Sequence, residues 1–244
     1  MKDKFELLPA IDIASGKSVR LSQGLDSSQT DLVDPVIPAK EFDSAGAKWI
    51  HLVDLDQAFR RGNNSQQITA LVANLPKIHF QLSGGIAEEE TLSRAKLAGA
   101  SRINISALAL ENQNWLEQVF QSSSDLTFGI DVRDGEVVPR GSKTSFGSVS
   151  KVLGFLDSLG CSKYVVTDVE RDGMLLGPNI DLLKEVFDLT GKSVIASGGI
   201  SSLADISALT ELGNYSVSGA ILGKALYVGN FTLEQALALV DKND

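Results

Sequence analysis

SGGIAEEETL at residues 83–92 comes back as SGGISSLADI at residues 197–206, and reading that pair as one unit written twice decides the fold. The echo extends outward from it. HLVDLD (51–56) is answered by VVTDVE (165–170), and Asp12, which closes ELLPAID, is answered by Asp131, which closes LTFGID. Partners stand about 114 to 119 residues apart, close to half of the 244-residue chain, so a duplicated structural unit accounts for them better than chance. Each echoed segment is an apolar run ending in Asp or in Ser-Gly-Gly. This predicts strands whose ends carry carboxylates and glycine-bared backbone.

Eight such runs are predicted as strands, over residues 6–12, 49–55, 78–83, 101–106, 126–132, 163–168, 193–197 and 219–223. Helix-length stretches separate them, with apolar residues at three- and four-residue spacing, as in ITALVANL (68–75), VSKVLGFLDSLG (149–160) and LADISALTEL (203–212). Near-continuous apolar strands alternating with helices imply a parallel sheet covered on its outer face. Eight repeats give an α/β fold, a (β/α)₈ barrel built from two half-barrels. No Pro/Ser-rich linker divides the halves, so residues 1–244 are read as a single domain. An open doubly wound sheet would need GxGxxG after its first strand, where this chain has IDIASGKSVR.

Composition narrows the function classes. A 43% hydrophobic and 22% charged chain suits one globular domain. No apolar stretch approaches the roughly 20 residues of a bilayer span, and the N-terminus lacks a signal peptide's apolar region, so a cytoplasmic location is expected. The net charge of −9 disfavours nucleic acid and anionic membrane as partners. A small anion would need local positive groups, for which Arg20, Arg140, Lys224 and backbone N–H groups at helix starts are the candidates. The single Cys161 excludes an internal disulfide and has no ligand-spaced companions, so it reads as a buried small residue.

In a barrel of this kind the loops after the strands gather on one face, which brings Asp12, Asp54, Ser83, Asp131, Thr167, Asp172, Ser197 and Gly223 together. An Asp after a strand also serves as a helix cap. Asp12 and Asp131, matched across the repeat, are read as functional. Gly84–Gly85 after strand 3, Gly198–Gly199 after strand 7, and Gly223 with Lys224 after strand 8 suit a phosphate, because glycine admits it close to backbone N–H groups. The loop at 131–147 is long and polar, as substrate-covering loops are. In it Arg140 offers a two-pronged grip on a carboxylate or phosphate, and Arg20 after strand 1 offers the same. His51 and His79 fall inside strands and read as packed residues. No metal-ligand spacing is present, so no metal is expected, and there is no Walker loop, nucleophile elbow or Cys/His pair.

LLPAIDIASGKSVRL, HLVDLDQAF, SGGI, TDVERDGMLLGPN, IASGGISSL and GAILGKALY together resemble the phosphoribosyl isomerase A family of the histidine-biosynthesis barrels, over essentially the whole chain. ELLPAID, the Ser of SGGI at 83, RINI, ALENQNW and CSKYVVTD are most similar to its actinobacterial, dual-substrate type. The resemblance implies a cofactor-free Amadori rearrangement of an N-linked aminoaldose 5-phosphate to a 1-amino-1-deoxyketose. It also implies that Asp12 is the base, Asp172 the acid and Asp131 a further carboxylate beside the substrate.

Departures from the family pattern shape the expected substrate. Ser106–Ala107 replaces Gly-Thr in the first-half phosphate site, Ala87 replaces an Arg, and Ser142 replaces the Trp that follows Arg140–Gly141. Loss of a phosphate site and an indole platform penalises a substrate with two phosphates and an imidazole, so specialisation toward phosphoribosylanthranilate in tryptophan synthesis is expected. The alternative is the two-phosphate isomerisation of histidine synthesis, alone or with both activities. A cyclase-type lyase and a non-catalytic phosphosugar-binding barrel fit less well, the first because Arg20 stands where a cyclase has Lys. The protein is expected to act as a monomer on a phosphorylated sugar.

Overall fold

Eight parallel strands form the barrel of the computed structural model: β1 (Glu6–Ala14), β2 (Trp49–Asp54), β3 (His79–Ser83), β4 (Arg102–Ile105), β5 (Leu126–Arg133), β6 (Lys163–Asp168), β7 (Ser193–Ser197) and β8 (Val217–Leu222). Each pairs with the next in sequence, and β8 returns to β1 with Glu6 opposite Gly219 and Leu8 opposite Ile221, which closes the sheet into a (β/α)₈ barrel. The structure describes residues 4–22, 25–122, 126–139 and 144–243, and side chains outside 20–32 and 243. At least one helix follows every strand. The principal outer helices are Val36–Ser44, Ser65–Asn74, Glu89–Leu97, Gln113–Ser122, Val149–Ser158, Ile180–Thr190, Leu203–Glu211 and Leu233–Asn243.

Side chains alternate across a strand, and this alternation explains what each residue does. On β1, Leu7, Ile11 and Ile13 face outward into the core beneath the helices, while Leu8 and Ala10 face the barrel axis with Val165, Ile195 and Ile221. Asp12 is the next residue of that inward row and emerges at the mouth. On β2, Ile50 and Leu52 belong to the outer core, so Asp54 continues the outward row while His51 and Val53 line the interior.

The barrel interior is unusually polar near its closed end. Arg102 on β4, 9% exposed, grips Glu6 of β1 with both terminal nitrogens, at 2.7 and 2.8 Å, and stacks 3.9 Å from the Trp49 ring centre. Its Nη1 also donates to Gln81 Oε1 at 3.1 Å. A buried charge is tolerable only when paired and hydrogen-bonded in this way.

Three segments beyond the eight strands were not expected. Lys17–Ser22 folds back antiparallel on β1, and Leu25–Val33 pairs with it in turn. Glu136–Val137 folds back on β5 in the same manner. The turns are Ser15–Gly16 and Asp134–Gly135, all at positive φ, the geometry that a two-residue hairpin demands. Both halves thus raise a hairpin beside the mouth, immediately after Asp12 and after Asp131.

Candidate active site

Register places six residues in one layer around the mouth. Asp12 lies opposite Val53, and Val53 opposite Ser83. In the second half Asp131 lies opposite Thr167, and Thr167 opposite Ser197. The halves match residue for residue except that Val53 stands where the other half has Thr167.

Above this layer the mouth is a trough with two ends. One end is lined by Asp12, Asp172, Ser197, Gly198, Gly199, Gly223 and Lys224. The other is lined by Ser83, Gly84, Gly85, Ser106, Ala107, Asp131 and Thr167. His51, Val53, Ser197 and Ile221 belong to both, so the two ends are one continuous surface. Each end has its glycine pair. A Cβ on Gly84 would lie 2.6 Å from the Asp54 nitrogen, and one on Gly198 would lie 3.1 Å from the Asp168 carbonyl oxygen, so only glycine lets these turns pass so close to the preceding loop. All four glycines have φ between 65° and 112°.

Asp54 is not part of the trough. Its outward-facing carboxylate accepts from Gln57 N at 3.1 Å, Asn64 N at 2.8 Å and Asn64 Nδ2 at 2.7 Å, capping one helical turn and tying the loop after β2 together. Asp168 repeats the design. It accepts from Glu170 N, Arg171 N and Asn179 Nδ2, and so folds the loop that presents Asp172. Lys224 holds that loop too, with Nζ donating to Gly173 O at 2.8 Å. Ser83 accepts from Asn104 Nδ2 at 3.0 Å, and Asn104 Oδ1 accepts from Thr127 Oγ1, which fixes the floor of the first-half end. Arg20 has its backbone opposite Thr30 in the first hairpin, while its side chain, like all of Arg140 and Ser142, lies outside the described residues.

His51, expected to be a packed residue, is buried at 6% exposure but also forms the trough floor. Its tautomer follows from the residues beneath it. Arg102 can only donate, so Gln81 must turn its oxygen toward Arg102 and its NH₂ toward His51 Nδ1, 2.9 Å away. Nδ1 is then the acceptor, and the ring proton sits on Nε2. Sequence reading missed this relay, although Gln81 in the middle of IHFQLS was its visible sign.

No group of three or more His, Cys, Asp or Glu able to hold a metal occurs among the described residues. Nor is any helix there long and apolar enough to cross a membrane.

The sequence matches a family described as histidine biosynthesis protein over residues 6–232. The chain belongs to the histidine biosynthesis protein family. It is 48% identical to a protein of Bifidobacterium animalis subsp. lactis over 96% of this chain and 98% of that one. Identity to a Nocardioides protein is 47%, over 98% of both chains. Identity to a Thermobifida fusca protein is 48%, over 96% of both. All three are named 1-(5-phosphoribosyl)-5-((5-phosphoribosylamino)methylideneamino)imidazole-4-carboxamide isomerase. The family member described here is accordingly an isomerase of histidine biosynthesis.

These relatives overturn the expectation of an enzyme specialised for phosphoribosylanthranilate in tryptophan synthesis, since their names specify the imidazole substrate with two phosphoribosyl groups. The geometry explains the misreading. Ser106–Ala107 reads as damage to the first-half cradle, yet the Gly84–Gly85 turn is intact there. Ser106 Oγ caps the 3₁₀ turn Ala107–Glu111 by accepting from Leu108 N at 3.3 Å. A cradle made of backbone does not depend on a threonine side chain.

Proposed function

We propose that the protein catalyses the isomerisation for which its relatives are named, with one substrate phosphate at each end of the trough. The two-ended shape of the mouth carries this reading: glycine cradles at Gly84–Gly85 and Gly198–Gly199 face each other across a shared floor. A phosphate is held there by backbone N–H groups that no side chain shields.

Chemistry falls between the cradles. Asp172 gives a proton to the furanose ring oxygen as the bond from that oxygen to C1 breaks, and the amino nitrogen's lone pair forms the C=N bond. Asp12 removes the proton at C2, and those electrons form the enolamine. Ketonisation then returns a proton to C1 and leaves the aminoketose. Protons pass through Asp172 and Asp12 with no net gain or loss of hydrogen by the substrate, so no external oxidant enters the balance. Asp131 and its strand neighbour Thr167 stand where sugar hydroxyls need partners, and His51 offers its Nε2 proton from below. Asp12, Asp131 and Asp172 all rise at the mouth of a single barrel, which fits a monomer as the working unit.

The test is steady-state turnover of the two-phosphate substrate by purified protein and by Asp12→Asn. We expect turnover by the unaltered protein. In the variant kcat should fall by about 10² to 10⁴, with KM within a few-fold. No turnover by the unaltered protein, or near-normal kcat in the variant, would refute the assignment.

A further inference from the structure

The loop that carries Asp172 is built onto the second-half phosphate cradle. Gly177 N donates to Gly199 O at 2.9 Å, and Asp168 folds the loop from its other end by accepting from Glu170 N and Arg171 N. A Cβ on Gly198 would lie 3.4 Å from the Asp172 Cα, and one on Gly199 would lie 3.1 Å from the Arg171 Cβ. The proton donor therefore rests directly on the turn that seats a phosphate.

Lys224 joins the two from a third side. It follows β8, lines the same end of the trough as Asp172, Gly198 and Gly199, and donates from Nζ to Gly173 O at 2.8 Å. Gly173 is the residue next to the proton donor, so this bond fixes the segment that aims Asp172. An ammonium carries three N–H donors, and one bond to a carbonyl leaves capacity for an anion alongside. The first half has no counterpart of Lys224 at this position. Ser106–Ala107 stands there in place of Gly223–Lys224, and Ala58 in place of Asp172. Its loop after β2 is tied to its cradle by a neutral donor instead, Gln57 Nε2 to Gly84 O at 2.6 Å. The lysine thus occurs in the half that has the acid, and a cradle of backbone N–H groups does not by itself call for one.

We propose that Lys224 is a positioning residue that couples the second-half phosphate to proton transfer: its ammonium bridges the phosphate on Gly198–Gly199 and the Gly173 carbonyl, and so holds Asp172 toward the sugar while the phosphate is seated. The proposal rests on the two-phosphate reading above. Binding energy from a group that does not react then goes into orienting the one that does, which raises kcat rather than lowering KM. A lysine suits the task because its charge attracts the dianion and its rotatable donors meet two acceptors at once.

Lys224→Met keeps the length of the side chain and removes its charge and donors, while Lys224→Arg keeps both. With saturating two-phosphate substrate, kcat should fall about 10- to 100-fold in Lys224→Met, by a larger factor than KM rises, and Lys224→Arg should recover most of it. A second measurement uses a substrate whose reacting aminoaldose lacks its phosphate, with inorganic phosphite added to the solution. Phosphite should accelerate turnover by the unaltered protein and by Lys224→Arg, and leave Lys224→Met unaffected. A rise in KM with kcat unchanged makes the lysine a phosphate ligand alone and overturns the proposal. A lowered Tm with kcat and the phosphite response intact overturns it too, as does an unaltered protein indifferent to phosphite. No turnover of the two-phosphate substrate by the unaltered protein removes the parent reading and this inference together.

Discussion

Replacing Asp54 by Ala distinguishes a structural carboxylate from a substrate contact, and its magnitude follows from the geometry. Asp54 is 3% exposed and Asn64 2%, and three hydrogen bonds of 2.7 to 3.1 Å join the carboxylate to Gln57 and Asn64. A hydrogen bond to a charged group contributes about 1.5–3 kcal/mol, and an orphaned buried N–H costs about 1–3 kcal/mol. The three bonds share one carboxylate and are not additive, so a total of about 3–5 kcal/mol is expected. For a chain of this size that is a fall in Tm on the order of 10 °C. Asp54→Asn, which keeps one acceptor oxygen, should lose about half as much. Thermal unfolding followed by circular dichroism measures the first effect. Steady-state kinetics at low temperature, where the variant is still folded, should give kcat/KM within a few-fold of normal, because the side chain points away from the trough. A variant with unchanged Tm and collapsed kcat/KM would refute this and restore Asp54 to the substrate.

Three further outcomes are expected. Burial pushes the Asp56 carboxyl up, but hydrogen bonds from Ser15 N, Arg61 and Asn64 outweigh it, and the net pKa lies below 3.8. Its contribution to stability is therefore present above that value and lost as pH falls through the folded pKa. Urea midpoints at about pH 5 and about pH 3 should show Asp56→Asn losing less on acidification than the unaltered protein. Nitrogen-15 spectra of the two histidines should show His51 neutral with its proton on Nε2, and Gln81→Leu should release that preference. An Nδ1-protonated ring in the unaltered protein would break the relay argument. Burial raises the Cys161 thiol to about 12, so a thiol reagent at about pH 8 should react only as fast as the protein unfolds, and rapid labelling of folded protein would contradict the buried placement.

All eight barrel strands were legible because their apolar runs are separated by turns and by helices of the opposite periodicity, and predicted and observed ends differ by at most about two residues. The hairpin of Lys17–Ser22 and Leu25–Val33 was not legible. Its sequence, KSVRLSQGLDSSQTDLV, has no sustained apolar alternation by which a strand pair is recognised. Asp54 shows the limit at the site itself. The echo that linked it to Asp168 was real, but what the two halves share there is a loop-folding cap, and the direction of the side chain could be worked out only by continuing the alternation from Ile50 and Leu52. Substrate preference was misread for a related reason. The substitution at Ala107 stands out in the sequence and outweighs the Gly84–Gly85 pair, although the glycines are what open the backbone at that end.

The near-symmetry of the mouth has a kinetic consequence. If a two-phosphate ligand binds as proposed, it could be seated in two senses, and only one of them would bring its aminoaldose beside Asp172. The first half has Ala58 where the second has Asp172, and Val53 where the second has Thr167, so on the proposed reading a reversed complex would be bound without turnover. Such a complex makes the substrate its own competitive inhibitor, lowering kcat and KM in proportion while leaving their ratio untouched. Those few unmatched positions are what rank one sense above the other. Further divergence between the halves would raise turnover without adding any new chemistry.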